Sequence, residues 1–487
     1  MPEPQVRGGL QLDGHKRRSS ASPIRTASPP VQAVLPLDQH TGLPAAPLVQ
    51  AGDAVLMGQP IAQPQGDLSA WLHAPVSGRV IALEPRPAAH HAGGLAPSIV
   101  IDNDGKEQPH PSNRPVDFGS LDPVDLCEHI ARGGIVGLGG ATFPTAAKLL
   151  QARSTGSVHL ILNGVECEPW ISCDDALMRA RAADVVLGAR ILCRALGASQ
   201  CTIAIESDMP EAAAAVRAAL ETSEAHEIAV RTVPSVYPAG GERQLITTLT
   251  GREVPADGLP SDIGMVCQNV GTAAAVACWI RDGIPLIRRI VTLTGSGLRE
   301  PVNCEVRIGT SIGELVADHG GYQNEVVELI MGGSMMGMAL PRDDVPVIKG
   351  TNCVIAATAG DFRRRGPEMP CIRCGNCSLV CPAALLPQQL HWYAHGSRTE
   401  PDLSALERYG LLDCIECGCC DHVCPSQIPL AQRFREAKPA LLDALNRHER
   451  ASDARSRFES REQRLARLEA ERRAKLEEKR KALKGAQ

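Results

Sequence analysis

Aromatic residues are scarce in this chain: 3% of 487 positions, with Phe 5, Tyr 4 and Trp 4. So few rings leave little material for the stacking platforms of single-stranded nucleic-acid binders. Charge of one sign is lacking too. The formal net charge of -5 argues for neither nucleic-acid binding nor wholesale adhesion to a membrane surface. No stretch approaches the roughly 20 consecutive apolar residues that a membrane span needs. Val270 to Ile280 is a short, alanine-rich run that reads as a buried helix. Lys16, Arg17 and Arg18 are not followed by an apolar core, so they do not read as a secretory signal. Lysine is absent between Lys16 and Lys106.

Cysteine, by contrast, is abundant, with 18 residues. Two runs near the C-terminus share the spacing C-x2-C-x2-C-x3-C-P: Cys371, Cys374, Cys377, Cys381-Pro382, and Cys414, Cys417, Cys420, Cys424-Pro425. Each run puts three thiolates on one tight loop, and the fourth cysteine of such a run ligates the other cluster. This assigns one [4Fe–4S] cluster to Cys371, Cys374, Cys377 and Cys424, and a second to Cys414, Cys417, Cys420 and Cys381. Zinc also suits C-x2-C, but it requires neither the third step nor the C-P ending. A disulfide framework fits poorly with duplicated metal spacing in a chain of this length. Cys419 lies outside the spacing and reads as a packed thiol. The scattered remaining thiols, beside oxygen-sensitive clusters, imply a reducing compartment and a cytoplasmic protein.

A chain this long exceeds one core, and its composition changes along the sequence. Residues 1–30 are polar and basic and read as an extended lead-in. Residues 31–110 show short β-like runs broken by glycine, such as Val55 to Ile61 and Ala74 to Ile81. They resemble the barrel-sandwich domains that carry lipoyl or biotin groups. The missing lysine excludes a swinging arm and leaves a structural or docking module. Residues 111–282 alternate strand-like and helix-like patterns, as an α/β layer domain does. Residues 283–365 read as a β-grasp module of the SLBB kind, and 366–440 as a two-cluster ferredoxin-like helical domain. Residues 441–487 form a charged helical tail, with Glu469–Arg473 and Glu471–Lys475 as supporting pairs. The expected fold class is multidomain α/β and α+β.

A second chemical motif runs from Gly133 to Lys148, with Gly137, Gly139 and Gly140 ahead of Phe143-Pro144-Thr145. Glycines there allow close backbone approach to a phosphate, and a helix starting near Pro144 would aim its N–H groups at the anion. The spacing is neither that of a P-loop nor G-x-G-x-x-G. Downstream stand Asn163-x-x-Glu166-x-Glu168-Pro169, then Tyr237-x-x-Gly240-x-Glu242, then Asn269-Val270-x-Thr272.

In this order the motifs resemble the NADH- and FMN-binding flavoprotein subunit of respiratory complex I. Over residues 31–440 the chain resembles more closely the C subunits of bacterial Rnf complexes, ion-translocating NADH:ferredoxin oxidoreductases. The resemblance implies that Gly137, Gly139, Gly140 and Lys148 hold the FMN phosphate and ribityl chain. It implies further that Asn163 and Glu166 border the flavin, that Asn269 and Thr272 lie near its phosphate, and that Glu168 contacts NAD(H), with Phe143 and Lys148 near its path. Two sites depart from the complex I pattern: Val165, where an acidic residue is usual, and Gly241-Glu242, where an acidic pair is usual. The implied cofactors are FMN, NAD(H) and two [4Fe–4S] clusters. The implied partners are the other subunits of a membrane complex, including an iron–sulfur subunit, with this chain peripheral on the cytoplasmic side of the inner membrane and without a span of its own.

Chemically, FMN joins the two halves, because NADH releases two electrons together and a [4Fe–4S] cluster takes one. Two other readings stand beside this one. A cobalamin reductase has similar modules, but there the barrel-sandwich segment comes after the others. A wiring subunit would keep the flavoprotein domain as a scaffold without NADH activity of its own.

Overall fold

The computed structural model describes residues 6–89, 94–154, 156, 158–223, 227–362, 366–395 and 400–484. The chain divides into two compact units. The first comprises Met1–Pro367 with Leu379–Ala384 and Cys417–Cys419, and the second holds Glu368–Ser378, Leu385–Glu416 and Cys420–Gln487.

The first unit opens with two small antiparallel sheets. One has the order Gln32–Pro36, Leu95–Asn103, Gly78–Pro87, Ala54–Val55, and the other Ala46–Pro47, Pro60–Gln63, Leu72–His73. Alternation along Gln32–Pro36 turns Ala33 and Leu35 inward onto Ile61, Leu72, Ile99 and Ile101. The same apolar cluster continues into the α/β layer through Leu160, Ile191, Val270 and Trp279.

The α/β layer holds four strands, all parallel, in the order Ile228–Val233, Gln200–Glu206, His159–Gly164, Met265–Asn269. Near-continuous apolar runs such as Leu160-Ile161-Leu162 suit strands covered on both faces. The helix Pro123–Arg132 starts with Asp122 accepting from the Val124 N–H and with proline in its first turn. The helix Val270–Asp282 starts at Asn269, which accepts from the Gly271 N–H, and stops at Gly283 with φ 67. It packs on Ala182–Leu196 so closely that a Cβ at Gly188 would sit 1.9 Å from the Ala273 carbonyl oxygen. Only glycine fits there.

A mixed six-stranded sheet completes the unit: Arg25–Thr26, Val302–Arg307, Arg288–Thr294, Cys353–Ala357, Glu328–Met331 and Met338–Leu340, with the helix Ile312–Asp318 beside it. Its first strand corrects the expectation of an extended lead-in over residues 1–30. Arg17–Ser20 forms a helical turn, and Arg25–Thr26 pairs in parallel with Cys304 and Glu305. The polar side chains find fixed partners: Ser19 Oγ lies 2.7 Å from Ser172 Oγ, and Ser28 Oγ donates to Asp318 at 2.7 Å. Those bonds offset part of the entropy cost of ordering the segment. Residues 1–5 of that segment lie outside the described residues.

In the second unit Leu390, Leu406, Leu411, Phe434 and Leu441 form the core, between the helices Pro387–His395, Leu403–Arg408 and the start of Leu430–Lys484. That last helix is 55 residues long and runs through the expected boundary at 440/441 without a break. From Asn446 to Lys481 every residue is exposed. Glu471 pairs with Arg467 at 3.9 Å rather than with Lys475. Residues 485–487 lie outside the described residues. Among the described residues no helix is long and apolar enough to cross a membrane.

Candidate functional site

The parallel sheet reverses its strand order between His159–Gly164 and Met265–Asn269, since Gln200–Glu206 and Ile228–Val233 lie on the other side of the first of these. In open α/β sheets, ligands bind outside the carboxyl ends of the strands at such a switch point. Asn163 and Asn269 are register partners at that end.

Around them the glycine loop is held from several directions. The Leu138 N–H donates to Thr272 Oγ1 at 2.9 Å, and Gly137 N–H donates to the Phe143 carbonyl at 2.9 Å. Arg289 Nη2 donates to the Leu138 carbonyl at 3.2 Å, and Lys349 Nζ to the Gly134 carbonyl at 2.7 Å. Thr41 Oγ1 donates to the Ala141 carbonyl at 2.7 Å. In a trans peptide the C=O and N–H point in opposite directions. Anchoring the Leu138 carbonyl on buried Arg289 therefore turns the Gly139 N–H away from the core, toward the exposed side of the loop. Gly139 and Gly140 are both exposed there, and Gly140 has φ 115 with nothing within 4 Å of a Cβ. A Cβ at Gly139 would lie 3.4 Å from Asn269 Cβ, so a side chain would begin to fill the gap between loop and helix start. Backbone donors, a helix N-terminus and a gap kept open by glycine suit a flavin phosphate and ribityl chain.

Other expected residues are more engaged than free ligands would be. Asn163 donates from Nδ2 to the Gly240 carbonyl at 2.8 Å and accepts from the Val165 N–H at 3.0 Å. Asn269 Nδ2 donates to Asp174 Oδ2 at 2.6 Å, and the Thr272 hydroxyl is taken up by the loop. Lys148 Nζ donates to the Cys267 carbonyl at 2.7 Å and pairs with Glu242. Pro144 sits at the N-cap of Thr145–Arg153, at the helix start expected near it.

Glu166 is buried and Glu168 half-buried, and both carboxylates are held by backbone N–H groups. Glu166 is buried and caps the helix Cys173–Ala180, accepting from the Asp174 N–H at 2.8 Å and the Asp175 N–H at 3.3 Å. Burial, and then the neighbouring Asp174 carboxyl, push its pKa up. Glu168 Oε1 accepts from the N–H groups of Met335 and Met336 at 2.7 and 2.9 Å, and burial raises its pKa as well.

Sequence reasoning missed Thr41, Asp174, Arg289 and Lys349, which belong to other segments and meet the motif only in three dimensions. The one available signal was Lys349, a lone cation amid apolar neighbours. It is fully buried, its second bond goes to the Trp71 carbonyl at 2.7 Å, and burial lowers its pKa to about 7.

In the second unit Cys371, Cys374, Cys377 and Cys424 line one cavity, together with Gln388 and His391. The four residues grouped by spacing are thus together in space, and four thiols on one cavity suit the donor set expected of a cubane cluster. The backbone repeats between the two runs. Arg373 and Glu416 have φ 56 and 58, Gly375 and Gly418 have φ 83 and 73, and Ala384 and Gln427 have φ 53 and 56. Short helices follow at the same offset, Asn376–Leu379 and Cys419–His422. This repeat makes Cys420, not Cys419, the counterpart of Cys377. The Glu416 N–H also donates to Cys414 Sγ at 3.4 Å.

Comparison with known proteins matches four family profiles: an RnfC barrel sandwich hybrid domain at residues 4–106, a Nuo51 FMN-binding domain at 130–278, an SLBB domain at 290–339 and a 4Fe-4S dicluster domain at 370–428. Curated relatives are named as the C subunit of an ion-translocating oxidoreductase complex. The Pseudomonas aeruginosa protein is 50% identical over 96% of this chain and 59% of its own length. The Rhodobacter capsulatus protein is 44% identical over 91% of this chain and 84% of its own length, and that of Citrobacter koseri 42% over 96% and 65%. The chain thus spans less than two thirds of the Pseudomonas and Citrobacter relatives. Among solved structures, a NAD+-reducing [NiFe]-hydrogenase in the H2-reduced state is 20% identical, with a TM-score of 0.44, over 65% of this chain and 61% of that one.

Proposed function

This chain belongs to the family of ion-translocating oxidoreductase complex C subunits, and from that premise we propose that it is the NADH-facing electron-transfer subunit of such a complex, passing electrons to a partner iron–sulfur subunit on the cytoplasmic face of the membrane. One observation carries the reading: the glycine loop and the Asn269 helix start meet at the switch point of the parallel sheet, in a chain that also carries duplicated cysteine loops. When bound, FMN supplies the exchange between paired and single electrons, and [4Fe–4S] clusters supply one-electron relay.

The chain's own residues then bind and orient. Gly137, Gly139 and Gly140 present the loop backbone to the phosphate and ribityl chain, while Lys148 adds positive charge at the carboxyl end of the sheet. The Asn269 cap orients the helix dipole toward the phosphate, with Thr272 bracing the loop. Asn163 and Glu166 border the ring system from the Asn163 strand end. Glu168 faces the nicotinamide nucleotide, and Phe143 with Lys148 flanks its path. For the clusters, Cys371, Cys374, Cys377 and Cys424 hold one, and Cys414, Cys417, Cys420 and Cys381 hold the other.

The test is anaerobic purification followed by assay of flavin, iron and NADH-dependent ferricyanide reduction. The expected result is one FMN, about eight irons by the two-cluster arithmetic of such cysteine runs, and activity that depends on the flavin. FMN incorporation without any NADH oxidation would overturn the NADH-facing role and favour a wiring subunit.

A further inference from the structure

His391 lies on the helix Pro387–His395 and lines the cavity shared by Cys371, Cys374, Cys377 and Cys424. Its Nδ1 is 3.0 Å from Nη1 of Arg433, whose Nη2 donates to Glu368 Oε1 at 2.6 Å. The Arg433 side chain is 11% exposed, so this arrangement is packed in place rather than waving in solvent. A guanidinium has five donors and no acceptor. In its contact with Arg433 the His391 Nδ1 must therefore be the acceptor. The ring proton then resides on Nε2, and with Nδ1 committed to Arg433, the Nε2 edge is the one left for the cavity.

We infer that His391 is a positioning residue for the cluster held by Cys371, Cys374, Cys377 and Cys424, donating a hydrogen bond from Nε2–H to cluster or thiolate sulfur and raising that cluster's reduction potential. The inference rests on the reading of those four cysteines as one ligand set. Its physical basis is charge. A thiolate-ligated cubane is already anionic and gains a further negative charge on reduction, so an N–H donor stabilises the reduced form more than the oxidised one. Arg433 contributes twice: it sets the tautomer, and it adds a cation one ring away that Glu368 partly offsets.

The test uses the full-length protein, purified anaerobically with its clusters and followed by EPR during redox titration. His391→Phe removes the donor and keeps a ring. It is expected to retain wild-type iron and to shift one cluster signal, so that its reduced-to-oxidised ratio at fixed potential falls about tenfold, or about 59 mV for a one-electron couple. His391→Gln, which keeps an N–H donor, is expected to recover at least half of that shift. Full iron with unchanged potentials in His391→Phe overturns the inference.

A measurement on the unsubstituted protein guards against a variant that fails to assemble. With histidine labelled with nitrogen-15, the reduced protein is expected to show a nitrogen coupling in ENDOR spectra that His391→Gln abolishes. Absence of that coupling also overturns the inference. Failure of the underlying reading looks different: Cys374→Ala would then keep all its iron, whereas the ligand set requires it to lose about half.

Discussion

Lys349 Nζ donates to the Gly134 carbonyl at 2.7 Å, so a lysine beside the six-stranded sheet holds the turn that leads into the glycine loop. Its other bond reaches the Trp71 carbonyl in the barrel-sandwich region. Two carbonyls match the two N–H donors of a neutral amine, in keeping with a pKa lowered by burial to about 7.

Because that folded pKa lies below the ordinary lysine value, the unfolded chain binds the extra proton as pH rises from about 7 toward 10.4. Stability from this group therefore increases across that window, by up to about 1.4 kcal/mol per pH unit, and is flat below it. Lys349→Met is expected to remove this slope and to loosen flavin binding, since the Gly134 and Trp71 carbonyls lose their donor. Urea midpoints at successive pH values from 7 to 9.5 check it. A slope unchanged in Lys349→Met would place the titration elsewhere.

Asn269→Ala removes the cap on Gly271 and the bond to Asp174 together. The expected cost is about 1–2 kcal/mol of stability, with FMN affinity falling at least tenfold as flavin fluorescence reports it. Asn269→Asp keeps the cap, so it is expected to recover stability. It also sets a carboxylate against Asp174, so flavin affinity stays low.

Glu168→Gln keeps an acceptor for the Met335 and Met336 N–H groups but drops the charge. Melting temperature and FMN retention are expected to stay near those of the native protein while NADH oxidation weakens at least tenfold. Equal loss of flavin and of NADH oxidation would show that Glu168 serves the flavin pocket instead.

Iron content separates the adjacent cysteines of the second run. Cys420→Ala is expected to lose about half of the iron, in line with the repeat that pairs Cys420 with Cys377. Cys419→Ala is expected to keep it, because that thiol is fully buried and lies outside the spacing. The reverse outcome would move the register by one residue.

Much of the architecture could be read from local pattern. His159 to Leu162 reads as a short apolar strand and Leu390 to His395 as a short helix, because periodicity and apolar content are properties of short windows. The cysteine runs are equally local, since metal geometry dictates their spacing. The lead-in reads wrongly for the same reason: nothing near Ser19 or Ser28 in sequence reveals Ser172 or Asp318, more than a hundred residues away, as their partners. Nor does the composition of the tail show that a single helix crosses the 440/441 boundary.

Sequence alone determined the module order, the duplicated thiolate loops and the glycine-rich turn, because each depends on residue type at fixed short spacing. Tertiary structure decided how the loop is held. Arg289 and Lys349 reach it from beyond residue 285, Thr41 reaches it from the barrel-sandwich region, and strand register brings Asn163 beside Asn269. It also turned Arg433 onto the Nδ1 of His391. Contacts between distant segments form only when cores pack and strands choose their neighbours, and those choices are spread over the whole chain rather than carried by any motif.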